Sequence, residues 1–337
     1  MVFYNPSRQT PVVSLATVIS LAQRATGVDS SRVENSLRTL HARLTGEILG
    51  SEEPARLLVI CLMAGGHVLI EGPPGVGKTS LAQALATAFG GDFRRVQFTP
   101  DLLPSDLLGY NLYDQSTGTF RFQPGPVFSH LLLADEINRT SPRIQSALLE
   151  CMNDGQVSVD GTTYPLEKPF MVVATRNDAY ATGTFPLPEP QLDRFLVSIP
   201  IALPDAKTQI DVLGLHLDKQ TRQAPATATL LSRQQVLAMQ AAVAAHPVSP
   251  PVRAYVVRLC EAARQIAGHD HALSVRASLA LVRAGQAASV FAGRPTVHPD
   301  DIKSVLSAVF RHRLAPFTDE NNPGKWLSSI VESVDVP

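Results

Sequence analysis

The chain is poor in cysteine, in net charge and in long apolar runs. Its 337 residues include three cysteines, Cys61, Cys151 and Cys260, with no Cys-x-x-Cys spacing among them. That excludes a disulfide scaffold, and the apolar helical surroundings of each thiol predict buried, inert groups in a reducing compartment. Lys plus Arg number 29 against 30 Asp plus Glu, a formal charge of −1, so no global field draws the chain to nucleic acid or anionic lipid. The early apolar stretch PVVSLATVIS is too short to span a bilayer, and no small-x-small cleavage site follows it. Neither membrane insertion nor export is expected, which leaves the cytoplasm. Internal repeats and low-complexity tracts are also absent.

What is present is an alternating α/β pattern. Residues 1–30 read as a leader with one short amphipathic helix, and helical segments follow in SRVENSLRTLHARLTGEILG and PARLLVICLMAGG. From His67 to about Ile201, short apolar runs alternate with helices, the pattern of a parallel sheet. The expected strands are HVLIE, FRRVQF, HLLLAD, FMVVAT and FLVSIPI, each apolar almost throughout, as strands covered on both faces must be. Two stretches interrupt the rhythm as hairpins, 110–123 around Ser116-Thr117-Gly118 and 156–167 around Asp160-Gly161. Asp-Gly suits a type I′ turn. Beyond IPIALPDAK the strands stop, and helices such as VRAYVVRLCEAARQIA carry apolar residues at 252, 255, 256, 259, 263 and 266.

The most specific motif is EGPPGVGKTS. Gly72, four residues, then Gly77-Lys78-Thr79 match GxxxxGK[ST], placed after an expected strand and before an expected helix. Glycines let backbone N–H groups converge on phosphate oxygens, and the helix start adds the positive end of its dipole. The cradle comprises Gly72, Pro73, Pro74, Gly75, Val76, Gly77, Lys78, Thr79 and Ser80, with Lys78 as the point charge for the β- and γ-phosphates.

Downstream, LLLADEINRT runs four apolar residues into Asp135 and Glu136. A buried strand ending on two acids calls for a cation, and magnesium carried by a nucleotide supplies it. Thr79 and Asp135 are assigned to the metal, Asp135 through a bound water. One acid suffices there, so Glu136 is assigned as the general base for a water attacking the γ-phosphate.

With these motifs, the stretches QFTPDLLPSDLLG, GPVF, DEINRTSPRIQSALLECM and GTFPLPEPQLDRF resemble AAA+ ATPases of the MoxR group, over roughly residues 45 to 315. The resemblance implies an AAA+ P-loop NTPase core with a parallel sheet, two β-hairpin insertions and a C-terminal all-helical lid domain. On this reading 31–204 form the core, 205–320 the lid and 321–337 a tail. It implies Mg-dependent hydrolysis of ATP by a homo-oligomer, a hexameric ring, driving chaperone-like remodelling, assembly or cofactor loading of a protein client, with a von Willebrand factor A protein as partner.

The resemblance makes Asn177, after the strand MVVAT, the sensor 1 amide, able to hold a water or phosphate oxygen without competing for metal. Arg276 falls in the first turn of a helix capped by Ser274, where a cation opposes the dipole unless an anion sits nearby. The resemblance makes it the sensor 2 arginine. It makes Arg194 of QLDRF an arginine finger inserted into the adjacent subunit, a task suited to a forked, permanently charged guanidinium. A local ion pair with Asp193 or a neighbouring acid is the competing reading.

The pattern departs from the family at ATRND, where Arg176 and Asp178 replace the commoner Gln and Pro around Asn177. His269-Asp270-His271 lacks a third ligand at recognised spacing and is not taken as a metal site. A nucleic-acid motor is the alternative function, but Arg121 is the sole basic residue well inside either hairpin. A small-molecule kinase explains neither Arg194 nor the helical lid. An Asn-Lys-x-Asp base-reading motif, the mark of GTP specificity, is missing.

Overall fold

The computed structural model describes residues 30–47, 52–176, 184–210, 229–268, 273–315 and 323–337. The chain enters through α1 (Ser30–Glu47) and α2 (Glu52–Met63), then β1 (Val68–Glu71), α3 (Lys78–Ala88), a two-residue β2 (Phe89–Gly90) and β3 (Phe93–Gln97). Next come α4 (Pro104–Leu108), the hairpin β4 (Gly109–Asp114) and β5 (Thr119–Pro124), β6 (Leu131–Asp135) and α5 (Pro142–Asp154). A second hairpin, β7 (Gln156–Val159) and β8 (Thr162–Pro165), precedes β9 (Met171–Arg176), α6 (Glu189–Leu192) and β10 (Val197–Pro200). The remainder comprises β11 (Leu231–Ser232), α7 (Arg233–Ala244), α8 (Pro250–Ala267), α9 (Val275–Phe291), α10 (Pro299–Leu314) and α11 (Pro323–Glu332).

All five expected strands join one parallel sheet in the order β10-β1-β9-β6-β3. Strand alternation divides its core in two. Val68, Ile70, Leu131, Leu133, Val173 and Ile199 face α1 to α3 and the lid helices. Leu69, Leu132, Ala134, Val172 and Ala174 face α5 and the hairpin bases. Leu133, fully buried on the central strand pair, has nowhere to relax. Leu133→Ala is expected to cost about 2–5 kcal/mol of stability, read as a lower urea midpoint with an unchanged slope.

Three features depart from the expected pattern. β3 is an edge strand, and Arg94, Arg95 and Gln97 are exposed along it, so it is not apolar throughout. Edge position removes one covering neighbour, and charge there discourages pairing with another chain. Strand structure also continues past residue 205, because Leu231–Ser232 pairs in parallel with Phe89–Gly90. The third is the C-terminal stretch read as a tail. It contains α11, whose Trp326 and Ile330 are buried with Val334 in the main core.

The lid helices follow the helical period with one exception. Val252, Tyr255, Val256, Leu259 and Ala263 are buried on α8, whereas Ile266 is 40% exposed and Ala267 turns inward in its place. Both hairpins form as expected, and Asp160 and Gly161 adopt φ of 48° and 79°, the two positive values a type I′ turn requires. The three thiols are free and buried. Burial pushes that of Cys151 up to about 12, and that of Cys61 higher still, so neither ionises near neutrality. No described helix is long and apolar enough to cross a membrane.

Candidate nucleotide site

Parallel strands deliver their carboxyl ends to one edge, the usual place for a ligand in an open α/β sheet. Here that edge presents Glu71, Arg176, Asp135 and Gln97, with Glu71 opposite Arg176 and Gln97 opposite Asp135 in register. The glycine loop leaves directly from Glu71. Gly77 caps α3 at φ 89°, a conformation an L side chain resists, and a Cβ at Gly72 would stand 2.1 Å from the Ile201 carbonyl oxygen. The loop therefore needs glycine at both ends, for different reasons.

Lys78 is buried at the start of α3, and its Nζ donates to the carbonyls of Gly72 at 2.5 Å and Arg176 at 3.2 Å. The ammonium is thus held inside the cradle. Thr79 follows one residue on, and its Oγ1 donates to Asp135 Oδ2 at 3.3 Å. A hydroxyl beside a carboxylate is a hard oxygen pair of the kind magnesium prefers. The described residues contain no group of three or more His, Cys, Asp or Glu that could hold a metal. The donor set therefore suits an ion that brings phosphate oxygens and waters as its other ligands.

Asp135 has partners the sequence did not disclose. Arg95 Nη2 donates to its Oδ2 at 2.7 Å and Arg95 Nε to the same oxygen at 3.2 Å. The cation at the end of the buried strand is thus, in the chain itself, an arginine from the edge strand. Thr175 Oγ1 donates to the other oxygen, Oδ1, at 2.5 Å, and accepts the Glu136 N–H at 2.9 Å. One β9 hydroxyl therefore orients both acids. The signal for Arg95 and Thr175 was strand register, which a single sequence leaves open.

Glu136 occupies the left-handed region at φ 57° and ψ 50°. That conformation strains a non-glycine residue and recurs where function over-determines the backbone. Its Oε2 accepts from Gln97 Nε2 at 3.0 Å and lies 3.1 Å from Arg139 Nε. The carboxylate is thereby held toward β3 and the turn that follows it.

Arg176, the departure from the family pattern, finds its partner on the neighbouring strand β1. Its Nη2 donates to Glu71 Oε2, and the Ser198 hydroxyl donates to the other oxygen of the same carboxylate. Its carbonyl also accepts from Gly72 N at 3.4 Å, so β9 supports the phosphate loop through main chain as well. Asn177 and Asp178 lie outside the described residues, as do His269, Asp270 and His271.

Arg194 and Arg276 stand apart from this cluster. Arg194 Nη1 donates to the Leu149 carbonyl of α5 at 2.9 Å, and no carboxylate pairs with it among the described residues. Asp193 is engaged elsewhere, by Arg313 at 2.7 Å and Ser274 at 2.8 Å, so the local Arg194–Asp193 ion pair does not form. Arg276 is exposed in the first turn of α9, where Ser274 Oγ accepts its backbone N–H at 3.1 Å. The structure thus brings Lys78, Thr79, Asp135 and Glu136 together at the sheet edge and leaves the two arginines directed elsewhere.

Comparison with known proteins places the fold. Residues 67–197 match the family model described as "ATPase family associated with various cellular activities (AAA)", and residues 261–332 match "AAA lid domain". The chain is 39% identical over 287 residues to the uncharacterized protein YeaC of Bacillus subtilis (strain 168), covering 85% of this chain and 89% of that one. To Chaperone MoxR1 of Mycobacterium tuberculosis it is 36% identical over 303 residues, covering 86% and 79%. To Protein MoxR of Paracoccus denitrificans it is 34% identical over 301 residues, covering 82% and 88%. A crystal structure from Cytophaga hutchinsonii, of a protein assigned as an ATPase, superposes with a TM-score of 0.79 at 32% identity, covering 95% of this chain and 99% of that one.

Proposed function

The chain belongs to the MoxR family of AAA+ ATPases, and on that premise we propose that it is a ring-forming, magnesium-dependent ATPase that remodels a partner protein. The observation that carries the catalytic part is the convergence of the buried Lys78, the Thr79–Asp135 oxygen pair and the strained Glu136 at one strand edge. Bound ATP with magnesium would supply the γ-phosphoryl group and a divalent charge to stabilise its displacement.

Lys78 and the loop N–H groups bind the phosphates. Thr79 directly and Asp135 through a water would hold the metal, with Arg95 sharing Asp135 Oδ2. Glu136 takes the proton of an attacking water, and Gln97 and Arg139 orient its carboxylate beforehand. Asn177 would place that water. Arg276 would close from the lid onto the γ-phosphate, and Arg194 would reach the site of a neighbouring subunit.

The remodelling part rests on the hairpins. They behave as one unit: Phe122 and Tyr164 stack with centroids 4.0 Å apart at 11°, and Asn111 Nδ2 donates to Asp160 Oδ2 at 2.7 Å. None of the described hydrogen bonds within them reaches the phosphate loop or the two acids. Their exposed surface carries Tyr110, Leu112, Tyr113 and Phe120, the last 71% exposed, beside Asp114. An apolar surface whose charges are the acids Asp114, Asp160 and Glu167 and the one arginine Arg121 suits polypeptide better than phosphate backbone. The relatives named chaperone and MoxR support a protein client, and the family resemblance supports a hexameric ring in the cytoplasm serving a von Willebrand factor A partner.

Two experiments test this reading. Glu136→Gln protein loaded with ATP should retain its client through purification, identified by mass spectrometry, while Lys78→Ala should not. Replacing 157–166 by a short Gly-Ser link should leave basal ATPase within about twofold while removing partner activity, since that segment supplies no phosphate or metal ligand. Equal partner activity in the deletion would overturn the role given to the hairpins.

A further inference from the structure

The charge of Asp135 is already matched within the chain, although its role is to face a metal. Its side chain is only 9% exposed, so a compensating charge has to stand close by. Arg95 provides it with two donors on one oxygen, Nη2 at 2.7 Å and Nε at 3.2 Å from Oδ2. Thr79 Oγ1 faces that same oxygen at 3.3 Å, whereas Thr175 takes Oδ1. The oxygen turned toward the start of α3 is therefore the one Arg95 holds.

The placement follows from strand register. Gln97 stands opposite Asp135 and Arg95 opposite Leu133, and alternation puts Arg95 and Gln97 on one face of β3. The edge strand thus serves both acids, Arg95 reaching Asp135 and Gln97 reaching Glu136. Arg95 also keeps 46% of its side chain exposed. It differs in this from Arg313, which is buried and tied to Asp193 and to the carbonyls of Phe195 and Val309. A guanidinium half in water shifts along a carboxylate at little cost, so Arg95 is able to share Oδ2 with an incoming cation.

An arginine paired with a buried acid for stability alone would account for the bond itself. It would not account for the position, beside Thr79 and the phosphate loop, where a triphosphate brings several negative charges. A bare carboxylate there repels the phosphates at short range. A permanently charged guanidinium on that carboxylate offsets the repulsion, whether or not a metal accompanies the nucleotide.

We propose that Arg95 is a specificity-determining residue for the metal state of the nucleotide: by matching the charge of Asp135 itself, it lets the site hold the triphosphate with or without magnesium. The proposal rests on the reading of Asp135 as the acid that faces the metal. Its consequence is a small preference for magnesium–ATP over free ATP, and removal of Arg95 should enlarge that preference.

The probe is β,γ-imido ATP, titrated calorimetrically into the full chain with excess magnesium or with EDTA. The quantity read is the metal-free dissociation constant divided by the magnesium one, and thermal melting checks that each variant is folded. Arg95→Gln keeps a donor for Oδ2 and loses the charge. It is expected to raise the ratio at least about fivefold, chiefly by weakening metal-free binding. Arg95→Lys keeps the charge without the fork and should stay within about twofold of the parent. Asp135→Asn should lower the ratio. Arg95→Gln added to Asp135→Asn should then change it by less than about twofold, because the charge that Arg95 offsets is gone.

An unchanged or lowered ratio in Arg95→Gln would overturn the proposal, including the case in which both forms of the nucleotide lose affinity equally and Arg95 is a plain phosphate ligand. Arg95→Lys behaving as Arg95→Gln would show that charge is not the property that matters, and would overturn it too. So would a full effect of Arg95→Gln in the Asp135→Asn background. A parent-like ratio in Asp135→Asn would remove the metal reading of Asp135, and the proposal with it.

Discussion

Glu136→Gln is expected to bind ATP as tightly as the parent and to lose turnover by roughly 10²–10⁴, the usual cost of removing a general base. The substitution keeps the side chain's size and its contact with Gln97, which can pair with an amide as with an acid. It does not disturb the main-chain bond from Glu136 N to Thr175 Oγ1, so the strained backbone at this position should persist. What it removes is the ability to accept a proton. Lys78→Ala should behave in the opposite sense and lose nucleotide binding itself, because the buried ammonium is the point charge inside the cradle. Isothermal titration with ATP and a phosphate-release assay separate the two. Hydrolysis by Glu136→Gln within about threefold of the parent would show that another group takes the proton.

The second large effect belongs to Arg194. As the γ-phosphoryl group departs, negative charge spreads over its equatorial oxygens, and a guanidinium supplied by a neighbour is worth about 10³–10⁵ in rate in related chemistry. Arg194, proposed for that role, is held by the Leu149 carbonyl and pairs with no carboxylate among the described residues, so its charge is not neutralised within the chain. Specific activity should therefore rise steeply with protein concentration as subunits assemble. Arg194→Ala should bind ATP normally and be nearly inactive alone. Mixed with Lys78→Ala it should regain turnover, because its intact phosphate loop can receive Arg194 from the other subunit. Activity strictly proportional to concentration through the dissociation range, with no rescue in the mixture, would mean that each site is complete within one chain.

Much of the architecture was legible along the chain because its determinants are local. Strand and helix periods, the Asp160-Gly161 turn and the spacing from Gly72 to Thr79 are decided within a few neighbouring residues. Hence the five strands, both hairpins and the phosphate loop could be read in order. The Ile266 misreading on α8 has an equally plain cause. A helical period marks which side chains share a face, but not where the surface covering that face ends.

The sequence by itself determined a glycine loop that shapes itself around phosphate, an acid pair at the end of an apolar strand, and a helical region beyond the sheet. Tertiary structure alone decided the company those groups keep. Arg95 meets Asp135 because β3 pairs beside β6, although the residues are 40 positions apart. Thr175 orients both acids because β9 is inserted between β1 and β6, out of chain order. Arg176 finds Glu71 across a strand pair 105 residues apart in sequence, and Arg313 closes on Asp193 across 120. These contacts depend on strand order and on helices docking over the sheet, and both follow from burying apolar surface across the whole fold rather than from any one segment.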